Sequence, residues 1–181
     1  PRSGSTLLEN ILSLNQDVFD LGETEILPNI MEKSETLNKD LNPYEIYINQ
    51  LNKLNPRTKI ATDKNLFNYM YCPVINEYFG NSKIILCLRN PLDNILSIFR
   101  SNFNKIPFST KIEDIAELYV HHYELMKLYS ETYSNNLFVY SYDELVINPA
   151  FQIKKIIDWL GWDWSEKYLA PHKSKRSVFT A

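Results

Sequence analysis

Apolar positions recur along this chain with two different periods, and the switches between them outline a fold. From Thr6 to Leu14 they come at helical spacing, with Leu7, Leu8, Ile11 and Leu12 on one face. Asp17 to Leu21 follows as a short strand or extended link ending at Gly22-Glu23-Thr24, and Glu25 to Lys33 predicts a helix with Pro28 in its first turn. Leu37 to Pro43 is polar loop, and Tyr44 to Leu54 is an amphipathic helix. Lys59 to Thr62 is a short strand running into Asp63-Lys64, and Leu66 to Phe79 predicts a helix that Pro73 kinks or restarts. The clearest buried strand is KIILCL, Lys83 to Leu88, continuous, β-branched and bounded by Gly80-Asn81 and Asn90-Pro91. Pro91 to Phe103 is a helix with proline at its first position, and Ile112 to Tyr133 is the longest helix. Leu137 to Tyr142 is a strand, and Pro149 to Leu160 a helix. Strands alternating with helices predict an α/β fold of three layers, a parallel sheet with helices on both faces.

Composition narrows the class. The 181 residues suit one domain, 1–181, and a hydrophobic fraction of 44% with 23% charged residues is that of a globular protein. Net charge is −3 and the pI about 5.7, so nothing global points to nucleic acid, and an anionic ligand would need a local basic site. No apolar run approaches a membrane span and no signal peptide is visible. Cys72 and Cys87 show neither metal-ligand spacing nor a disulfide framework, which predicts reduced thiols and a cytoplasmic setting. Both ends read as truncations. No strand precedes Pro1, and SKRSVFTA stops without a cap, so the sheet is expected to lack its first strand.

The opening PRSGST holds one fixed cation, one glycine and three hydroxyls immediately before a helix. A helix N-terminus presents backbone N–H groups without intrahelical partners and a dipole that favours negative charge. Gly4 lets the backbone approach a bulky oxyanion, and Arg2 can bind one through two parallel hydrogen bonds. The segment therefore reads as a phosphate cradle built from Arg2, Ser3, Gly4, Ser5 and Thr6. In a parallel sheet, ligands bind outside the carboxyl ends of the strands. Glu23, Asp63-Lys64, Arg89 and Tyr142 all fall at such ends. Ser97 lies eight residues after Arg89, about two turns into the following helix, where the pair can grip a second phosphate.

Together these segments resemble the sulfotransferase superfamily. PRSGSTLL resembles the loop that binds the 5′-phosphosulfate of the donor 3′-phosphoadenosine 5′-phosphosulfate (PAPS). LRNPLDNILSIFRSNF resembles the 3′-phosphate motif, and SYDELVINP the segment that carries a conserved-type Tyr-Glu-Asp-Leu pattern. The nearest likeness is to tyrosylprotein sulfotransferases and to bacterial sulfotransferases with tetratricopeptide repeats ahead of the catalytic domain. The resemblance implies a P-loop nucleoside-triphosphate-hydrolase-like fold and in-line transfer of a sulfuryl group from PAPS to a hydroxyl acceptor, whether peptide tyrosine, glycan or small molecule. It implies Glu23 as general base, with Lys64 and Arg2 beside the leaving group. Arg2, Ser3, Gly4, Ser5 and Thr6 would hold the 5′-phosphate, Arg89 and Ser97 the 3′-phosphate, and Tyr142 would lie near it or the adenosine. It also implies a bacterial source, a repeat domain ahead of Pro1, and no metal.

Departures and other features qualify this picture. A Walker A loop places lysine after its last glycine, whereas Gly4 is followed by Ser5-Thr6, which weighs against a metal-dependent phosphotransferase. A non-catalytic binding module is the other alternative, and retention of Glu23 and Lys64 argues against it. Tyrosylprotein sulfotransferases carry arginine two residues beyond the base; Glu25 stands there in this chain, which argues against an acidic peptide substrate. His121-His122 lacks a third zinc ligand, and Trp159, Trp162 and Trp164 are expected to cover the sheet edge. Lys173, Lys175 and Arg176 are expected near the 3′-phosphate.

Overall fold

The computed structural model describes residues 1–36, 42–54, 58–101 and 107–173. Lys175, Arg176 and Phe103, and the loop predicted from Leu37 onward as far as residue 41, lie outside the described residues. Helix α1 spans Ser5–Leu12, β1 Val18–Asp20, α2 Ile26–Thr36, α3 Pro43–Leu54 and β2 Ile60–Thr62. Then come α4 Cys72–Tyr78, β3 Ile84–Leu88, α5 Pro91–Ser101, α6 Ile112–Thr132, β4 Leu137–Ser141, α7 Tyr142–Ile147 and α8 Pro149–Leu160. Local chemistry sets several boundaries. Asn148 caps α8 by accepting the Phe151 N–H at 3.4 Å, Pro149 opens the helix, and Gly161 closes it with φ of 76°. Pro73 restarts its helix: a 3₁₀ turn over Asn68–Tyr71 gives way to α4 at Cys72.

One expectation about the strands needs correction. Tyr142 does not end a strand; it is the first residue of α7, because the Ser141 side chain accepts the Glu144 N–H at 3.3 Å and turns the chain into a helix. The α/β expectation with parallel strands holds, and among the described residues the strands form two parallel pairs. β1 pairs in parallel with β2, Val18 opposite Ile60, and β3 pairs in parallel with β4, Ile84 opposite Leu137 and Leu88 opposite Ser141. A cavity of about 860 Å³ separates the pairs. It is lined by all three residues of β2 and all five of β3 in succession. Side chains alternate across a strand, so an unbroken run of lining residues marks an open strand edge rather than a face.

Helices cover both faces of the β3–β4 pair. Ile85, Cys87, Phe138 and Tyr140 turn toward α1 and α8, where Leu8, Ile11, Leu12, Ile153, Ile156 and Ile157 are buried. Leu86 and Leu137 turn the other way onto Cys72, Met126 and Tyr129 of α4 and α6. A third cluster joins α2 and α3 through Ile26, Leu27, Ile30, Tyr47 and Phe79. Trp162 and Trp164 pack against the α1–α8 cluster, and Trp159 lies 5.3 Å from Phe138 of β4, so the tryptophans pack on this face of the strand pair rather than along the sheet edge where they were expected. Cys72 and Cys87 are free thiols, and burial pushes both up, Cys72 to about 11 and Cys87 to about 12. Among the described residues no helix is long and apolar enough to cross a membrane.

Ile157 is 0% exposed at the centre of the largest cluster. Ile157→Ala is expected to lower stability by about 2–5 kcal/mol, read as a shift in the urea midpoint at unchanged slope.

Candidate functional site

The opening loop is held in an unusual shape by its neighbours. Arg2 is the one non-glycine residue with positive φ among those described, at 62°, and Gly4 caps α1 with φ of 87°. Three contacts from β3 and α5 fasten this turn. Asn94 Nδ2 donates to the Pro1 carbonyl at 2.9 Å, Arg89 Nη1 donates to the Arg2 carbonyl at 3.2 Å, and Arg2 Nε donates to Ser97 Oγ at 2.9 Å. The Arg89 guanidinium lies 5.1 Å over the Tyr142 ring, and that ring packs against Gly4 so closely that a Cβ there would meet Tyr142 Cδ2 at 2.3 Å. Tyr142 thus stands beneath the loop as a floor.

Arg2, Arg89, Ser97 and Arg100 line one cavity of about 310 Å³, with Asp93, Leu96 and Ser101 completing its wall. Arg89 and Ser97 thus line one pocket, and Arg2 belongs to it too. Arg89 Nε is buried and has no hydrogen-bond partner among the described residues. A guanidinium with unspent donors, beside two further arginines, suits an anion with several oxygens. Arg100, one turn beyond Ser97 at the end of α5, is a residue the sequence reading missed; helical spacing from Ser97 was the available signal.

The second half of the site is the pair Glu23 and Lys64. The Lys64 ammonium donates to the Glu23 carboxylate, with side-chain exposures of 7% for Lys64 and 30% for Glu23. The Lys64 N–H donates to the Gly22 carbonyl at 2.8 Å, so the ends of β1 and β2 are joined through backbone as well. Pro1 of the opening loop and Lys64 of the pair line the same large cavity. Loop and pair consequently share one rim. Ser3, Ser5, Lys64 and Arg89 border the large cavity at that end. Thr6 lies one position further into α1.

Around the pair, side chains fix the backbone. Asp63 accepts from the Tyr47 hydroxyl at 2.9 Å, the Asn65 N–H at 3.0 Å and Asn68 Nδ2 at 2.9 Å, while burial pushes its carboxyl up. Asn65 Nδ2 donates to the Thr24 carbonyl at 2.9 Å and to Glu25 Oε1 at 3.3 Å. Glu9, a buried carboxylate on α1, also escaped the sequence reading; its place next to Leu8 on an otherwise apolar face was the signal.

Other candidates take no part. His121 pairs with Glu117 on the surface of α6, and His122 packs edge-on to Tyr69 at 4.6 Å, its imidazole pushed down to about 4 by burial. No group of three His, Cys, Asp or Glu side chains among the described residues is placed to hold a metal. Lys173 ends a 3₁₀ turn over Pro171–Lys173 and is absent from both cavities described above.

A model of the sulfotransferase family matches residues 40–166, a stretch that includes Lys64, Arg89, Ser97 and Tyr142. An Aquifex aeolicus (strain VF5) relative named "Uncharacterized protein" is 26% identical over 207 residues, aligned with 100% of this chain and 27% of its own length. The chain therefore spans about a quarter of that relative. A Caenorhabditis briggsae relative named "Putative protein-tyrosine sulfotransferase" is 26% identical over 195 residues, covering 96% of this chain and 67% of its own. In fold, the chain is similar to a solved "Sulfotransferase Domain from the Curacin Biosynthetic Pathway", with a TM-score of 0.68 and 18% identity over 96% of this chain and 75% of that one.

Gly4→Ala is expected to weaken pyrophosphate binding by at least about tenfold in calorimetry, since a left-handed alanine costs roughly 1–2 kcal/mol before any displacement of Tyr142. Gly80→Ala, with nothing within 4 Å of its Cβ, is the matched control and should bind normally.

Proposed function

Because this chain belongs to the sulfotransferase family, we propose that it transfers a sulfuryl group from PAPS to a hydroxyl acceptor by in-line displacement, with Glu23 as general base. The observation that supports this reading is the convergence of Arg2, Arg89 and Ser97 in one pocket, with Arg89 also lining the large cavity that Lys64 of the Glu23–Lys64 pair borders. The donor has two separated anionic groups, and the residues fit both. The unspent Nε of Arg89, with Ser97 and Arg100, suits a 3′-phosphate, while Arg2, Ser3, Gly4, Ser5 and Thr6 at the start of α1 suit the 5′-phosphosulfate. Tyr142 supports the loop and orients Arg89 rather than contacting the nucleotide first.

When bound, PAPS supplies an activated sulfuryl group. The chain's own residues do the rest. Glu23 takes the proton of the acceptor hydroxyl, and Lys64 and Arg2 offset the negative charge that develops on the departing oxygen. In the structure Lys64 neutralises Glu23, so the lysine has to turn toward an anion before the carboxylate is fully available as a base. Positioning and electrostatics of this kind resemble phosphoryl transfer.

The acceptor side carries negative charge. Glu25, two residues past Glu23, is exposed and accepts from Asn65 Nδ2, which would set a second carboxylate near the proposed base. That disfavours a tyrosine within an acidic peptide, although the name of the Caenorhabditis relative makes tyrosine one acceptor worth testing. Phenolic peptides, glycans and small alcohols form the acceptor panel.

Calorimetry of the full chain with adenosine 3′,5′-bisphosphate is expected to show saturable binding that Arg89→Ala weakens; no binding at high micromolar nucleotide would sink the reading. Glu23→Gln is expected to lower sulfuryl transfer by about 10²–10⁴-fold and leave nucleotide affinity intact. Transfer at the wild-type rate in that variant would mean another residue is the base.

A further inference from the structure

Glu9 sits where packing alone calls for an apolar side chain. It lies on α1 between Leu8 and Ile11, borders the large cavity and is 3% exposed. A buried carboxylate is tolerated only when it is well hydrogen-bonded. Its Oε1 accepts from the Gly22 N–H at 3.1 Å and from the Thr62 hydroxyl at 3.3 Å. Gly22 immediately precedes Glu23, and Thr62 ends β2 two residues before Lys64. The same two segments are joined to each other, Leu21 N–H to the Thr62 carbonyl at 2.9 Å and Lys64 N–H to the Gly22 carbonyl at 2.8 Å. Glu9 is also near enough to Asp63 to act on it by charge.

One carboxylate oxygen thus ties three elements at their functional ends. α1 carries the anion-binding loop at its start, the end of β1 delivers Glu23, and the end of β2 delivers Lys64. We infer that Glu9 is a positioning residue, which fixes the Glu23–Lys64 pair relative to the opening loop without touching a reacting atom. What is being positioned rests on the sulfuryl-transfer reading; the clamp itself rests on the geometry. A hydrogen bond from a backbone N–H to a carboxylate is shorter and stronger than one to a neutral acceptor, which suits a part that must hold distance. Since both contacts use Oε1, glutamine can keep them with its carbonyl oxygen, whereas alanine keeps neither.

The test compares Glu9→Ala and Glu9→Gln in the full chain by three readouts: amide hydrogen exchange at Gly22, adenosine 3′,5′-bisphosphate affinity, and the steady-state rate of sulfuryl transfer. Alanine is expected to speed Gly22 exchange and to lower kcat by about 100-fold, the cost of a misplacement near 1 Å, with little change in nucleotide affinity or donor KM. Glutamine is expected to restore both protection and rate. Unchanged Gly22 exchange in the alanine variant would overturn the assignment, as would loss of rate and nucleotide affinity together in both variants, the mark of a merely structural residue. If the alanine variant does not fold, Thr62→Val decides: it removes one donor to Oε1 and should lower kcat at constant nucleotide affinity, and a wild-type kcat would refute the clamp. If the unaltered chain binds no bisphosphate, the sulfuryl-transfer reading falls, while Gly22 exchange in the glutamine and alanine variants still decides whether Glu9 holds the β1 end.

Discussion

The arrangement depends first on a left-handed turn packed so closely on an aromatic ring that a Cβ has no room there. Gly4 turns the chain through a left-handed conformation against the face of Tyr142 and launches α1 in the same step. Given that turn, the hydrogen bonds from Asn94, Arg89 and Arg2 follow, and each links the loop to β3 or α5 across more than eighty residues of sequence. Such non-local contacts cost chain entropy, and they persist because the apolar clusters beneath them are already ordered. The loop is rigid by enclosure.

The opposite charges at the rim are arranged in two tiers. Arg2, Arg89 and Arg100 crowd the pocket by α5, an arrangement that suits an anion with several oxygens. Lys64 and Glu23 face each other as an ion pair elsewhere on the rim. Lys64 is nearly buried and Glu23 is not, so the lysine is the partner with more to lose if the pair separates without a substitute anion.

Much of this was legible from residue order alone, for identifiable reasons. KIILCL could only be a buried strand, and a strand that ends in arginine puts that arginine at the sheet mouth; the eight-residue step to Ser97 is two helical turns, so their meeting was readable too. Tyr142 was misplaced because one serine hydroxyl, that of Ser141, outweighed the β propensity of the preceding residues. Which strands would border an open edge was not visible in β2 or β3 themselves, since apolar runs look alike whether one edge or two are paired, although a missing strand was expected. Glu9 was hidden for another reason. Its partners are a backbone N–H and a hydroxyl thirteen and fifty-three residues away, and no spacing rule reaches them.

The alignment of β3 with β4 has a consequence beyond the sheet. Leu88 stands opposite Ser141, so Arg89 and Tyr142 leave the two strands abreast, and the ring under the guanidinium is a product of that alignment. Asp143, which holds the Asn90 N–H at 2.6 Å, is next in line. Were β4 to slide by a single residue, Asp143 would arrive where the aromatic platform now stands, and the net positive charge around Arg89 would fall. The charge of this rim is thus set by strand alignment as well as by residue identity.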